Sequence, residues 1–148
     1  MAEQRHALVT WSGDLLSGAG TIDYVSSGVF SRMPVSWAAR TGPHNGKTSP
    51  EELLAAAHAS CFSMAFSARL AKNGTPATRL SIKAEVSFDN ASGGWKVTTS
   101  HLVVRGDVPG IDAATFATIA EDAKDNCPIS IALKGNVDLT VEATLAGG

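Results

Sequence analysis

Two cysteines, Cys61 and Cys127, are the residues in this 148-residue chain whose type best suits them to chemistry, and they lie 66 positions apart. That spacing is neither a CxxC redox motif nor a zinc-binding pattern, and two cysteines cannot frame a disulfide-rich scaffold. Cys61 falls in the middle of a long helical pattern and Cys127 at the end of a second, each on an inward face. Two inward thiols on separate elements can meet in space. One could then attack an oxidant while the other traps the resulting sulfenic acid as a disulfide, a peroxide leaving as its alcohol. Such a reaction needs a thiol pKa lowered by a nearby cation. The bland alternative for either cysteine is a small apolar core residue.

Candidate cations are His58, three positions before Cys61 and so on a neighbouring helical face, and one of the arginines. Arginine is the better partner, since it stays charged and its fork can hold a thiolate and a carboxylate together. The residues alone leave Arg5, Arg32, Arg40, Arg69, Arg79 and Arg105 open. His58 beside Cys61 also admits a Cys-His hydrolase or acyltransferase, although no residue is evidently placed to orient the ring and Cys127 would then have no role. More commonly a helical histidine is simply packed. A non-enzymatic redox sensor or ligand-binding dimer would use the same thiols. Phe62, Met64, Phe66, Met33 and Trp37 are candidates to line an apolar substrate pocket, each more commonly plain core.

The element that must position Cys61 is a helix running from Ser49 to about Leu70. Ser49 caps it, Pro50 fits the first helical position, and Glu52 completes a capping box. Glu51 and Glu52 set negative charge against the positive end of the helix dipole, which is the ordinary role for Glu51. Lys72-Asn73-Gly74 with Pro76 beyond is a stop. Leu54, Ala57, Cys61, Met64, Ala65 and Ala68 form one stripe, with Leu53, Phe62 and Phe66 elsewhere. A helix apolar on more than one side is normally buried by more than one neighbour.

Before that helix, His6–Ser12, Thr21–Ser26 and Val29–Trp37 read as strands, the third interrupted by Pro34 and so at an edge or bulged. Arg40–Lys47 reads as a loop. After it, Leu80, Ile82, Ala84, Val86 and Phe88 alternate strictly. Trp95 and Val97 oppose the parity of Leu102 and Val104, which predicts a bulge near Thr99–His101. Asp112 caps a second helix with Phe116, Ile119, Ala120, Ala123 and Cys127 on its inner stripe, and Pro128 ends it. Val137 to Leu145 alternates as a last strand. The order βββ-α-ββ-α-β predicts an antiparallel-leaning α+β fold, as a single domain over residues 1–148.

With 44% apolar and 18% charged residues and a formal net charge of −2 without charge runs, the composition fits a globular protein with no electrostatic footprint for nucleic acid or anionic membrane. No apolar segment of membrane-spanning length is expected, and the N-terminal residues lack a signal-peptide pattern. A cytoplasmic protein is the expectation, and in that compartment a transient catalytic disulfide is more usual than a permanent one.

The stretch Thr48-Ser-Pro-Glu-Glu-Leu-Leu-Ala-Ala-Ala-His-Ala-Ser-Cys-Phe-Ser-Met-Ala resembles the central-helix signature of the osmotically inducible protein C and organic hydroperoxide resistance (OsmC/Ohr) family. Val108-Pro-Gly-Ile-Asp-Ala-Ala-Thr-Phe and Asn126-Cys-Pro-Ile-Ser resemble its second-helix signature. The resemblance covers nearly the whole chain, the two motifs together are highly specific, and Trp11-Ser-Gly-Asp14 and Phe30–Arg40 look closer to the OsmC branch. The resemblance implies an OsmC-like fold, an intertwined two-fold homodimer with its sites at the subunit interface, and thiol peroxidase activity on organic hydroperoxides, with hydrogen peroxide a second candidate. Cys61 matches the family's peroxidatic cysteine, Cys127 its resolving cysteine and Glu51 the carboxylate that holds a catalytic arginine. In the OsmC branch that arginine precedes the central helix, which points to Arg40. In the Ohr branch it lies nearer the N-terminus, where this chain has Ser12-Gly13-Asp14-Leu15 and no arginine. No cofactor or metal is implied, only an external dithiol reductant, protein or small molecule, of lipoyl type.

Helix geometry adds an independent constraint. Glu51 and Cys61, ten residues apart in one helix, are separated by roughly 15 Å along its axis, too far to flank one guanidinium within a single chain. If all three act together, Glu51 or Arg40 must come from a second chain. An alanine-rich stripe would let two such helices pack antiparallel about a two-fold axis.

Overall fold

The computed structural model describes residues 1–146 and divides into two compact units, Met1–Leu53 and Leu54 onward. The first holds an antiparallel sheet in the order β1-β2-β3, formed by Ala7–Ser12, Ala19–Val25 and Ser31–Val35. Pro34 sits on the edge strand β3, where a missing N–H breaks no ladder. Its carbonyl accepts from the Thr48 N–H at 3.1 Å instead. The segment expected to be a loop from Arg40 begins inside a short helix, α1, Trp37–Thr41. Ser36 caps α1, its Oγ accepting the Ala39 N–H at 3.2 Å, and Gly42-Pro43 ends it. The cap signal was in the sequence, hidden by extending the third strand through Trp37.

The long helix α2 spans Pro50–Lys72. Ser49 Oγ accepts the Glu52 N–H at 3.1 Å, while the Glu52 carboxylate takes the Thr48 hydroxyl at 2.9 Å, so the expected box closes on Thr48 rather than on the cap itself. Its C-terminal turn is a Schellman motif: the Thr75 N–H reaches Leu70 O and the Gly74 N–H reaches Ala71 O, both at 3.0 Å, with Gly74 at φ 83°. At 23 residues α2 is long and apolar enough to cross a membrane by length and composition, which corrects the expectation that no such segment exists. One face of that run, His58, Phe62, Phe66 and Leu70, packs into the core, while only 22% of the stretch is buried.

In the second unit, β4 (Arg79–Asn90) pairs antiparallel with β5 (Trp95–Asp107), and β6 (Asp138–Leu145) joins β5 in parallel. The fold is antiparallel-leaning as expected, and the one parallel pair of strands among the described residues arises because the chain returns by way of helices, α3 (Ala113–Asn126) and α4 (Pro128–Leu133). Asp112 caps α3 as expected, accepting the Thr115 N–H at 2.7 Å. Pro128 does end α3, but it also starts α4 at its first position, a short helix the sequence reading missed. The observed order is thus the expected one with two short helices added.

The register skips Thr98, with Ser87 opposite Thr99 and Phe88 opposite Val97. That bulge lies one residue before the expected segment and flips the parity of β5, so that Ser100, Leu102 and Val104 all point inward. Against them pack Phe62, Phe66 and Leu70 of α2 and Phe116, Ala120 and Ala123 of α3. The rings of Phe62 and Phe66 lie 5.4 Å apart, and those of Phe66 and Phe116 5.1 Å. The inward face of α2 is therefore His58, Phe62, Phe66 and Leu70, not the alanine stripe. Aromatic side chains bury the larger area and win the core. Ala57, Met64 and Ala68 are exposed, while Cys61 and Ala65 lie at the boundary.

Candidate functional site

Two groups of the expected residues form, one in each unit. In the first, the Arg40 Nε–H donates to both Glu51 oxygens at 3.0 and 3.1 Å, and its Nη2 donates to Oε1 at 2.7 Å. Arg40 ends α1 and Glu51 begins α2, so a helix stop and a helix start bring fork and carboxylate together. The Glu51 side chain is 9% exposed and that of Arg40 30%, so the pair is only partly hydrated. The Trp37 ring lies 6.0 Å from the guanidinium carbon, within reach of a cation–π contact. Met33, on β3, is 38% exposed.

In the second, Cys61 of α2 meets Cys127, which is fully buried between α3 and α4; both are free thiols. Burial pushes the Cys61 thiol above its ordinary value of 9.0, and the adjacent Cys127 thiol pushes it further. The Ile129 backbone N–H, in the first turn of α4, pulls the other way. Phe62 and Phe66 are fully buried in the core, and Met64 is 71% exposed.

His58 is fully buried and carries no free nitrogen. Its Nδ1 bonds Ser100 Oγ at 2.7 Å and its Nε2 bonds Ser130 Oγ at 2.8 Å. Burial lowers its pKa, so the ring is neutral and supplies no charge to Cys61. With both nitrogens occupied it is not placed as a base for a Cys-His hydrolase. The sequence gives no sign of these two serines, which lie 42 and 72 positions away. For α4 the proline at its first position was the available signal.

The two three-stranded sheets, their helices and the paired thiols define an α+β protein with a dithiol built from distant parts of the chain. It belongs to the OsmC family: the family model described as OsmC-like protein matches residues 42–142. Over 129 residues the chain is 42% identical to the protein named peroxiredoxin OsmC of Escherichia coli strain K12, covering 87% of this chain and 89% of that one. It is 36% identical over 97 residues to an organic hydroperoxide resistance protein of Xanthomonas axonopodis pv. citri, covering 64% and 65%. The crystal structure of the organic hydroperoxide resistance protein OhrB of Bacillus subtilis matches with a TM-score of 0.69 at 28% identity, over 94% of this chain and 98% of that one.

Proposed function

We propose that this chain is a cytoplasmic, cysteine-based thiol peroxidase that reduces organic hydroperoxides to alcohols. The Cys61 thiolate attacks the distal peroxide oxygen, the O–O bond breaks, and the alkoxide takes a proton and leaves. Cys127 then attacks the sulfenic acid, water departs, and a Cys61–Cys127 disulfide forms. An external dithiol of lipoyl type returns both thiols. The observation that carries this reading is the meeting of two cysteines 66 residues apart beside one another. The names of the relatives in E. coli and Xanthomonas support hydroperoxides as the substrate class.

Among the described residues, nothing that shifts Cys61 is a cation, and the net effect there is to suppress the thiolate. Activation is assigned to Arg40, oriented by Glu51, brought by a second copy of the chain. The exposed small residues of α2 support such a partner: only 22% of its most apolar stretch is buried in the isolated chain. In a water-poor interface the guanidinium would both lower the thiol pKa and stabilise charge building on the peroxide oxygen. Stopped-flow thiol consumption with cumene hydroperoxide and with hydrogen peroxide, on wild type and Cys61→Ser, tests the proposal. Rapid loss of both thiols per peroxide, abolished in Cys61→Ser, is expected. Slow oxidation without dithiol-driven turnover would reject it in favour of a redox sensor.

A further inference from the structure

The buried imidazole of His58 has no part in the chemistry above, yet it ties three elements together. His58 and Ser100 are fully buried and Ser130 is 1% exposed. A neutral ring offers one N–H and one lone pair, so one hydroxyl accepts from it and the other donates to it. Ser100 belongs to the central strand β5. Ser130 belongs to α4, whose first turn also carries the Ile129 N–H at Cys61 and follows directly on Cys127. α4 has only six residues, and Cys127 at its cap makes no side-chain capping bond. A helix that short has little stability of its own, so its seat on α2 depends on side-chain contacts. His58 precedes Cys61 by three residues, about 4.5 Å along the axis. The Ser130 contact is therefore an anchor one turn from the paired sulfurs.

We infer that His58, by holding Ser130, is a positioning residue that fixes the α3–α4 junction so that Cys127 stays within bonding range of Cys61. The inference rests on the dithiol reading proposed above, though not on the oxidant being a peroxide. Its effect falls on disulfide closure, where the new S–S bond forms and water leaves. Attack on the peroxide needs only Cys61 and its activating charge. Loosening the anchor slows closure and leaves the sulfenic acid open to a second peroxide, which carries it to sulfinic acid and releases a second alcohol.

Oxidised glutathione measures closure directly. Attack by Cys61 forms a mixed disulfide and releases one glutathione thiolate, and attack by Cys127 on the Cys61 sulfur releases the second. The ratio of closed to mixed disulfide at fixed reduced glutathione gives the effective concentration of Cys127 at Cys61. Full-length wild type, Ser130→Ala and Ser100→Ala are compared. Both variants lose one hydrogen bond to the same ring, so a merely structural role predicts equal losses. The expected result is an effective concentration about tenfold lower in Ser130→Ala, the size of one buried hydrogen bond, and within about twofold of wild type in Ser100→Ala. Equal falls in the two, or no fall in Ser130→Ala, overturn the inference. His58→Leu gives a second reading should Ser130→Ala lose its fold: a leucine side chain bonds neither hydroxyl, and closure equal to wild type would overturn the positioning role. A wild type that closes with glutathione yet ignores cumene hydroperoxide would end the peroxidase reading and leave this one standing.

Discussion

Cys61 and Cys127 stand side by side, yet this makes Cys61 harder to ionise than a free cysteine, because burial and the second thiol both disfavour its charge. A neighbour that suppresses the thiolate is of little use for attack but well placed for closure. The two sulfurs should therefore separate kinetically. Wild type is expected to lose both thiols for each peroxide consumed. Cys127→Ser is expected to lose one, to accumulate a sulfenic acid that dimedone traps, and to show no dithiol-driven turnover. Sustained turnover in Cys127→Ser would show that a different group completes the cycle.

Arg40 and Glu51 form a forked pair that is mostly withdrawn from water, so removing one partner strands the other. Arg40→Met should cost about 3 kcal/mol of stability and slow the peroxide reaction roughly 100- to 1,000-fold. The double variant Arg40→Met with Glu51→Leu removes the stranded charge as well. Its stability should recover in urea unfolding while its activity does not. Recovery of both would mean the pair only holds the fold. Arg40→Lys should also be slow, since an ammonium cannot fork.

The exposed face of α2 gives a prediction about assembly. Ala57 is small, exposed and on the stripe that the chain's own core leaves open. Ala57→Arg should convert a dimer into a monomer by light scattering, with loss of peroxide turnover and little change in helix content. A wild type that is monomeric and fully active would remove the need for a second copy.

What the sequence made legible, it did through local signals. The Ser49 cap, the Gly74 stop and the strict alternation from Leu80 to Phe88 each encode a conformation within a few residues, and each is present. The parity conflict between Val97 and Leu102 located the bulge to within one residue. Which face of α2 turns inward was not legible, because alanine and phenylalanine stripes are both apolar and only the packed partner decides between them. Ser100 and Ser130 were invisible for a similar reason: a hydroxyl has no pattern until the chain folds it onto His58. The family signature pointed to Arg40, and its pairing with Glu51 now rests on three contacts that no spacing rule contains.

Gly106 tests the packing of the second unit without touching either cysteine. A Cβ there would lie 2.6 and 2.7 Å from Phe116 ring atoms and 3.1 Å from Leu80. Gly106→Ala must push Phe116 and α3 away from β5, at about 1–3 kcal/mol. For a chain of this size each kcal/mol lowers Tm by about 2–4 °C, readable by calorimetry. An unchanged Tm would contradict the contact of Phe116 with β5.

His58 should leave its mark on acid stability. Burial holds its folded-state pKa below the ordinary 6.5, so between those two values the unfolded chain binds a proton that the folded chain refuses. The resulting stability is complete above the unfolded value and is lost as pH falls through 6.5 toward the folded value, by at most about 1.4 kcal/mol per pH unit. Asp14 and Asp112, held below 3.8 by hydrogen bonds from Ser17 and Thr115 respectively, act only in a lower window. Urea midpoints of wild type and His58→Gln between about pH 7.5 and 4.5 separate the two effects. The other histidines are common to both chains and cancel. Wild type should lose stability faster below pH 6.5 than His58→Gln, by the slope of a single proton. Parallel curves would mean that the folded protein accepts a charge on His58, which complete burial with only neutral hydroxyls as partners disfavours.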